Sequence, residues 1–220
     1  MLDYFAIKHG TDKSSLIHDY CQDYEDAIER YLKVSKQSSI KLMEIGVWSG
    51  ASLRMWNDYF DCLGIDNTIV GIDIEPSASQ CAELDIHIEI GSQTDKQFLE
   101  AVNLKHGPFD IIVDDGSHIT SHQRQSFEVL FPCLNSGGLY IVEDVCTSYW
   151  KDFITPDEPT MIEYCKSLVD DVNFCGYLAE GKVDRRPDRL IECAKNEGLK
   201  LNTTVKSIHF LNSTIIIYKR

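Results

Sequence analysis

The stretch Ile40-Lys41-Leu42-Met43-Glu44-Ile45-Gly46-Val47-Trp48-Ser49-Gly50-Ala51-Ser52-Leu53-Arg54-Met55-Trp56 decides the fold. Residues 40–45 form a short, mostly apolar run, which predicts a strand ending at Gly46. Residues 51–60 predict a helix. A strand that turns through glycines into a helix opens a βα unit, and the glycines let a ligand approach the backbone closely.

Working outward, the same alternation recurs. Thr68 to Asp73 predicts a second strand, residues 76–82 a short helix, and Ile86 to Ile90 a third strand. Residues 95–105 predict a helix, Phe109 to Val113 a fourth strand, and residues 119–132 another helix. Gly137-Gly138 turns into a fifth strand that runs to Val142, and residues 158–172 carry a helical pattern. Val205 to Phe210 and Thr214 to Lys219 predict two strands joined at Leu211-Asn212-Ser213, short enough for a hairpin. Upstream, residues 22–34 place Tyr24, Ala27, Ile28, Tyr31 and Leu32 on one helical face.

Strands alternating with helices predict an α/β, Rossmann-like fold. Its sheet is mostly parallel and seven-stranded, with helices on both faces and an antiparallel C-terminal hairpin closing it. Residues 1–38 are expected as an N-terminal helical lid segment, and residues 39–220 as the cofactor-binding part of one compact domain.

Composition narrows the partners. The 220 residues carry 21 basic and 35 acidic side chains, a net charge of -14. Such a surface repels phosphate backbones and anionic membranes, so nucleic acid is not an expected partner. No run approaches the roughly 18 apolar residues of a membrane span. Eight cysteines, at positions 21, 62, 81, 133, 146, 165, 175 and 193, form no C-x-x-C pair, which argues against a zinc knuckle or a thioredoxin-like site. With no secretory signal at the start, they read as reduced thiols of a cytoplasmic protein.

Polar residues gather at the carboxyl ends of the predicted strands, where a doubly wound sheet binds its ligand. The first turn spells E-x-G-x-x-x-G (Glu44, Gly46, Gly50), not the dinucleotide G-x-G-x-x-G. This spacing favours S-adenosylmethionine, which has no phosphate to cradle; Glu44 would help to hold its ammonium. Asp73, ending the second strand, can accept both hydroxyls of a ribose; the bland alternative is a turn cap. Candidate cofactor-binding residues are Glu44, Gly46, Gly50, Ser52, Asp73, Ser92, Gln93 and Asp114.

Asp114-Asp115-Gly116-Ser117-His118 follows the fourth strand and Glu143-Asp144 the fifth. In the usual strand order these ends are neighbours. Carboxylates converging there, with no lysine or arginine between them, would repel one another, and a hard divalent cation relieves this. Asp115, Glu143 and Asp144 are the candidate Mg²⁺ ligands; solvated carboxylates are the alternative. His118 is placed to take a proton from a metal-held hydroxyl, with His122 as rival.

These residues resemble a known group, the Mg²⁺-dependent sugar O-methyltransferases of macrolide biosynthesis (mycinamicin and tylosin type), whose superfamily includes proteins labelled cephalosporin hydroxylase. The resemblance rests on His9-Gly10-Thr11-Asp12-Lys13, Leu42 to Trp56, Gly71 to Asp73, Phe109 to His118, and Gly137 to Trp150. It implies a class I methyltransferase fold, with Asp115, Glu143 and Asp144 on Mg²⁺ and His118 as base. One departure is Gly91-Ser92-Gln93-Thr94-Asp95, where the family has G-D-Q-S-D: Ser92 replaces the acid that would meet the adenine amino group. A hydroxyl still accepts a hydrogen bond, with weaker binding expected. The other is length, with only about forty residues before the first strand. Acceptor selection is therefore expected from Thr11-Asp12-Lys13 and the 149–159 loop as lids.

The expected partner is a small-molecule or glycoside acceptor, with a homo-oligomer possible. Trp48, Trp56, Tyr149 and Trp150 are candidate acceptor-site aromatics. Competing readings are methylation of a catechol or other non-sugar diol, an NAD-binding oxidoreductase, and a non-catalytic cofactor-binding protein.

Overall fold

The computed structural model describes residues 1–173, 186, 189–192 and 204–220. Its strands are β1 (Ser39–Ile45), β2 (Asp66–Asp73), β3 (Ile86–Ile90), β4 (Ile111–Asp114), β5 (Leu139–Val142), β6 (Val205–Phe210) and β7 (Ile215–Lys219). They form one sheet in the order β3-β2-β1-β4-β5-β7-β6. β7 pairs antiparallel with β5 and β6, and the first five strands are mutually parallel. The expected topology, hairpin included, is what the chain adopts.

The helices are α1 (Leu2–His9), α2 (Cys21–Ser35), α3 (Ala51–Cys62), α4 (Lys96–His106), α5 (Thr120–Leu130), α6 (Met161–Ser167) and α7 (Val169–Val172). The single helix expected over 158–172 is two pieces meeting at Leu168. α5 stops before Pro132, which lacks the N–H that a helix interior needs and sits in a short 3₁₀ turn (Phe131–Cys133). The 76–82 segment is also 3₁₀, over Pro76–Cys81.

Strand periodicity of two builds two cores from one sheet. Leu42, Ile69, Ile111, Val113, Leu139 and Ile141 face α2 and α3, packing with Tyr24, Ile28, Trp56 and Tyr59. Met43, Ile45, Val70, Ile72, Ile112 and Val142 point the other way, toward Leu99, Phe127, Leu130 and Met161. Within the segment expected as a lid, Leu2, Ala6, Tyr24 and Ile28 belong to the first of these cores.

Register then decides what meets at the sheet's end. Ile45 pairs with both Ile72 and Asp114, and Asp114 pairs with Val142. The next residue of each strand therefore falls on one line at the sheet's carboxyl edge: Gly46, Asp73, Asp115 and Glu143.

Candidate active site

A cleft of about 430 Å³ opens over that line. Of the expected cofactor residues, Gly46, Ser52, Asp73, Ser92 and Gln93 line it. Gly46 has φ +93°, and a Cβ there would fall 2.1 Å from the Asp115 carbonyl oxygen. Only glycine fits this close approach of two strand ends. Asp73 Oδ2 accepts from the N–H groups of Val47 (2.8 Å) and Trp48 (3.0 Å), and Oδ1 from Glu75 N–H (2.9 Å). Burial raises the Asp73 pKa, but these bonds outweigh it and hold the carboxyl below its usual range. Asp73 thus shapes the glycine turn as well as facing the cleft.

Gln93 ties the third strand's turn to the fourth. Its Nε2 donates to Asp114 Oδ1 (3.1 Å) and its Oε1 accepts from Ser117 N–H (2.8 Å). Ser92 Oγ lies 2.9 Å from Thr94 Oγ1, so this hydroxyl already has a partner within its own turn.

Three expected cofactor residues do not line the cleft. Glu44 is fully buried; its Oε2 accepts from Trp56 Nε1 (2.8 Å), on the helix-α3 side of β1. Asp114 is also fully buried, accepting from Gln93, Tyr140 (3.2 Å) and Ser126. The reason is their place in the sheet: Glu44 lies two residues before Gly46 and Asp114 one before Asp115, so both side chains are still covered by packed helices. Burial pushes the Asp114 carboxyl up to about 6, against the pull of its hydrogen bonds. Gly50, at φ +71°, begins α3 beside Cys81 and Arg54.

The carboxylates do not converge unopposed, as their spacing along the chain suggested. Lys13, only 1 % exposed, reaches in from the N-terminal segment. Its Nζ lies 2.5 Å from Asp115 Oδ2, 3.0 Å from Glu143 Oε2 and 3.2 Å from Glu44 Oε1. Burial works against the ammonium, but the charges of Asp115, Glu143 and Glu44 outweigh it and keep it charged. One ammonium does not compensate three carboxylates. Burial, and then the Asp115 charge, push Glu143 well above the usual carboxylate range. Its Oε1 is buried with no hydrogen-bond partner.

Asp115 also faces outward. With His118 and Asp144 it forms a half-buried group whose ligand atoms all lie within 4.8 Å of one another. Asp115, Glu143 and Asp144, the expected metal set, are thus split between two neighbouring clusters that share Asp115. His118 has φ +58°, and its carbonyl accepts from Thr147 Oγ1 (2.9 Å). Its Nδ1 is buried without a partner, and its Nε2 lies 3.8 Å from Asp144 Oδ2. The rival His122 sits 2.9 Å (Nδ1) from Ser117 Oγ, and burial lowers its pKa.

On the far side of His118 lies a second pocket of about 300 Å³. Ile17, Trp150 and Phe153 give it an apolar wall, and Tyr20, His18 and Asp144 a polar one. Tyr20 OH donates to Asp144 Oδ1 (2.7 Å). Among the described residues, His118 alone lines both chambers. Of the expected aromatics, Trp150 lines this pocket and Trp48 the first; Trp56 is in the core.

Residues 43–145 match the family model of a methyltransferase domain. The match ends just past Asp144, so it spans both the glycine turn and the acidic strand ends. The chain is 35% identical over 186 residues to L-olivosyl-oleandolide 3-O-methyltransferase of Streptomyces antibioticus, covering 79% of this chain and 46% of that protein. It is 36% identical over 183 residues to mycinamicin VI 2''-O-methyltransferase of Micromonospora griseorubida, covering 78% and 44%. The fold superposes on MycE, a methyltransferase of the mycinamycin pathway solved with Mg, SAH and mycinamycin VI. The TM-score is 0.79 at 30% identity, covering 99% of this chain and 53% of MycE. The chain spans about half the length of the curated relatives it matches. These comparisons bear out the resemblance drawn from the motifs.

Two residues that meet the strand-end carboxylates were not expected there from sequence, Lys13 having been expected only as part of a lid. Lys13 fell within the H-G-T-D-K stretch, where an invading cation has no local signature. Tyr20 lay just ahead of the predicted α2 face and carried no signal of its own.

Proposed function

We propose that this chain is an S-adenosylmethionine-dependent O-methyltransferase, assisted by Mg²⁺, acting on a hydroxyl of a sugar or glycosylated natural product. One observation carries the reading: among the described residues, His118 alone joins a glycine-walled cleft to a pocket with apolar and polar walls. The relatives' substrates, glycosylated macrolides, agree with it.

The residues present fit both groups. Gly46 lets the ends of β1 and β4 approach too closely for any Cβ, and with Ser52, Asp73, Ser92 and Gln93 it lines the wall of the cofactor cleft. Asp115, Glu143 and Asp144 offer the hard oxygen donors that Mg²⁺ takes, and Glu143 Oε1, which has no hydrogen-bond partner, is an oxygen that would hold it. When bound, the cofactor supplies an activated methyl group and the metal lowers the pKa of a hydroxyl.

The chain's own residues do the rest. The glycine turn and Asp73 orient the cofactor, while Trp150, Phe153 and Ile17 hold the apolar face of a sugar ring. His118 takes the hydroxyl proton at Nε2 as the oxygen gains the methyl group, because Nδ1 is buried. Backbone strain at Trp48, His118, Asp144 and Ser213, all with positive φ, lies along these two chambers. We also propose a cytoplasmic location, which the reading of the cysteines as reduced thiols supports: those described are free.

The test is transfer of labelled methyl groups from S-adenosylmethionine to a panel of glycosides, with Mg²⁺ and with excess chelator. Labelled product that disappears with chelator is the expected result. Full transfer in chelator would sink the metal, and transfer to catechols alone would sink the sugar.

A further inference from the structure

The segment before the sheet does more than cover the site. Lys13 is the one buried cation touching the acidic strand ends among the described residues, and it comes from a loop between α1 and α2. Its carbonyl accepts from Tyr20 N–H (3.1 Å) and Cys21 Sγ (3.2 Å), which fixes the loop to the start of α2. Its side chain is therefore aimed, not trailing. The ammonium takes Oδ2 of Asp115 and Oε2 of Glu143, and leaves Oε1 of Glu143 without a partner. Tyr20, on the same segment, takes Oδ1 of Asp144. Each of the three proposed metal ligands is thus held by one oxygen from the N-terminal segment.

We propose that Lys13 is a positioning residue of the metal centre: it fixes Asp115 and Glu143 by one oxygen each and turns their remaining oxygens to the cation. This rests on the metal-assisted reading above. Ligating carboxylates need outer partners to hold their orientation, and losing such a partner costs roughly 10- to 100-fold in metal affinity. Without the ammonium, Glu44, Asp115 and Glu143 repel one another and rotate apart. The opposite role is also physically coherent: Lys13 could compete with the metal for those oxygens, and its removal would then tighten binding. The sign of one measurement separates the two.

The experiment is Mn²⁺ binding to the full chain, followed by the loss of the free-ion electron paramagnetic resonance signal, in the presence of S-adenosylhomocysteine. Lys13→Met is compared with wild type, and S-adenosylhomocysteine affinity is measured by calorimetry. The expected result is Mn²⁺ affinity lowered about tenfold or more, with S-adenosylhomocysteine binding retained. A purely structural role would weaken both ligands together and overturns the proposal. Unchanged or tighter Mn²⁺ binding overturns it as well, while leaving the proposed function intact. Wild type that binds S-adenosylhomocysteine but no Mn²⁺ removes the metal and this proposal with it. Should Lys13→Met fail to fold, Lys13→Met with Glu44→Gln removes a buried negative charge along with the positive one, and the same loss of Mn²⁺ affinity is expected. Residual metal affinity equal to that of Glu44→Gln alone would overturn the assignment.

Discussion

Asp110 and Asp115 bracket the same short strand, β4, and the structure treats them oppositely. Asp110, at the amino end, is 3 % exposed and accepts from Tyr31 OH (2.6 Å), Asn135 Nδ2 (2.7 Å) and Lys41 N–H (2.9 Å). Asp110 lines neither chamber of the candidate site. Asp115, at the carboxyl end, shares an ammonium with two other carboxylates and borders an open cleft with His118 and Asp144. A parallel sheet explains the difference. Its amino edge is closed by crossovers, while its carboxyl edge diverges and leaves room for a ligand. The same residue type is a latch at one end and a tool at the other.

The comparison can be broken most sharply at the carboxyl end. His118→Ala is expected to lower turnover by roughly 10²- to 10⁴-fold, the ordinary share of a general base, with S-adenosylhomocysteine affinity unchanged by calorimetry. Wild-type turnover would falsify the assignment of the base. At the amino end the effect is on stability alone. Asp110→Ala strands Tyr31 OH and Asn135, and we expect a loss of about 3 kcal/mol in urea unfolding, with turnover kept where the variant is folded.

Asp114, between the two, tests the boundary. Its folded pKa of about 6 lies above the unfolded value, so between the two the native state binds more protons than the unfolded state. Its contribution therefore weakens stability as pH rises through that window and is level above it. Asp114→Asn removes the slope, and its effect on unfolding free energy should be more favourable at about pH 7.5 than at about pH 4.5 by roughly 2 kcal/mol. An equal effect at both would mean that Asp114 stays ionised throughout. The smallest change is at Tyr20→Phe, which keeps the ring and loses one bond to Asp144. About 1 kcal/mol is expected, read as a modest rise in the acceptor KM; no change would detach Tyr20 from the site.

Much of this was legible in the sequence, and the reason is local. Burial alternates along a strand and recurs every three to four residues along a helix, so β1 to β7 and α2 to α5 announce themselves within a residue or two. α1 does not, because its mixed residues show no clear stripe; its burial comes from contact with α3. The glycine turn, Asp73, Asp115, Glu143, Asp144 and His118 were legible as candidates because each lies at or shortly after a strand's carboxyl end, where such a fold puts its ligand.

What only the tertiary structure decided is the other half of the site. Glu44 and Asp114 look like strand-end carboxylates in the sequence, yet they stop two residues and one residue short of the open edge, which keeps them inside. Lys13 is separated by 102 residues from Asp115 and by 130 from Glu143, and Tyr20 by 124 from Asp144. No periodicity links such positions. They meet because α1 and α2 bury Leu2, Ala6, Tyr24 and Ile28 against the sheet and α3, and that packing carries the loop between them over the open strand ends. Local pattern sets the elements and the carboxyl edge, while the choice of which side chain answers a buried charge belongs to the packing of distant segments.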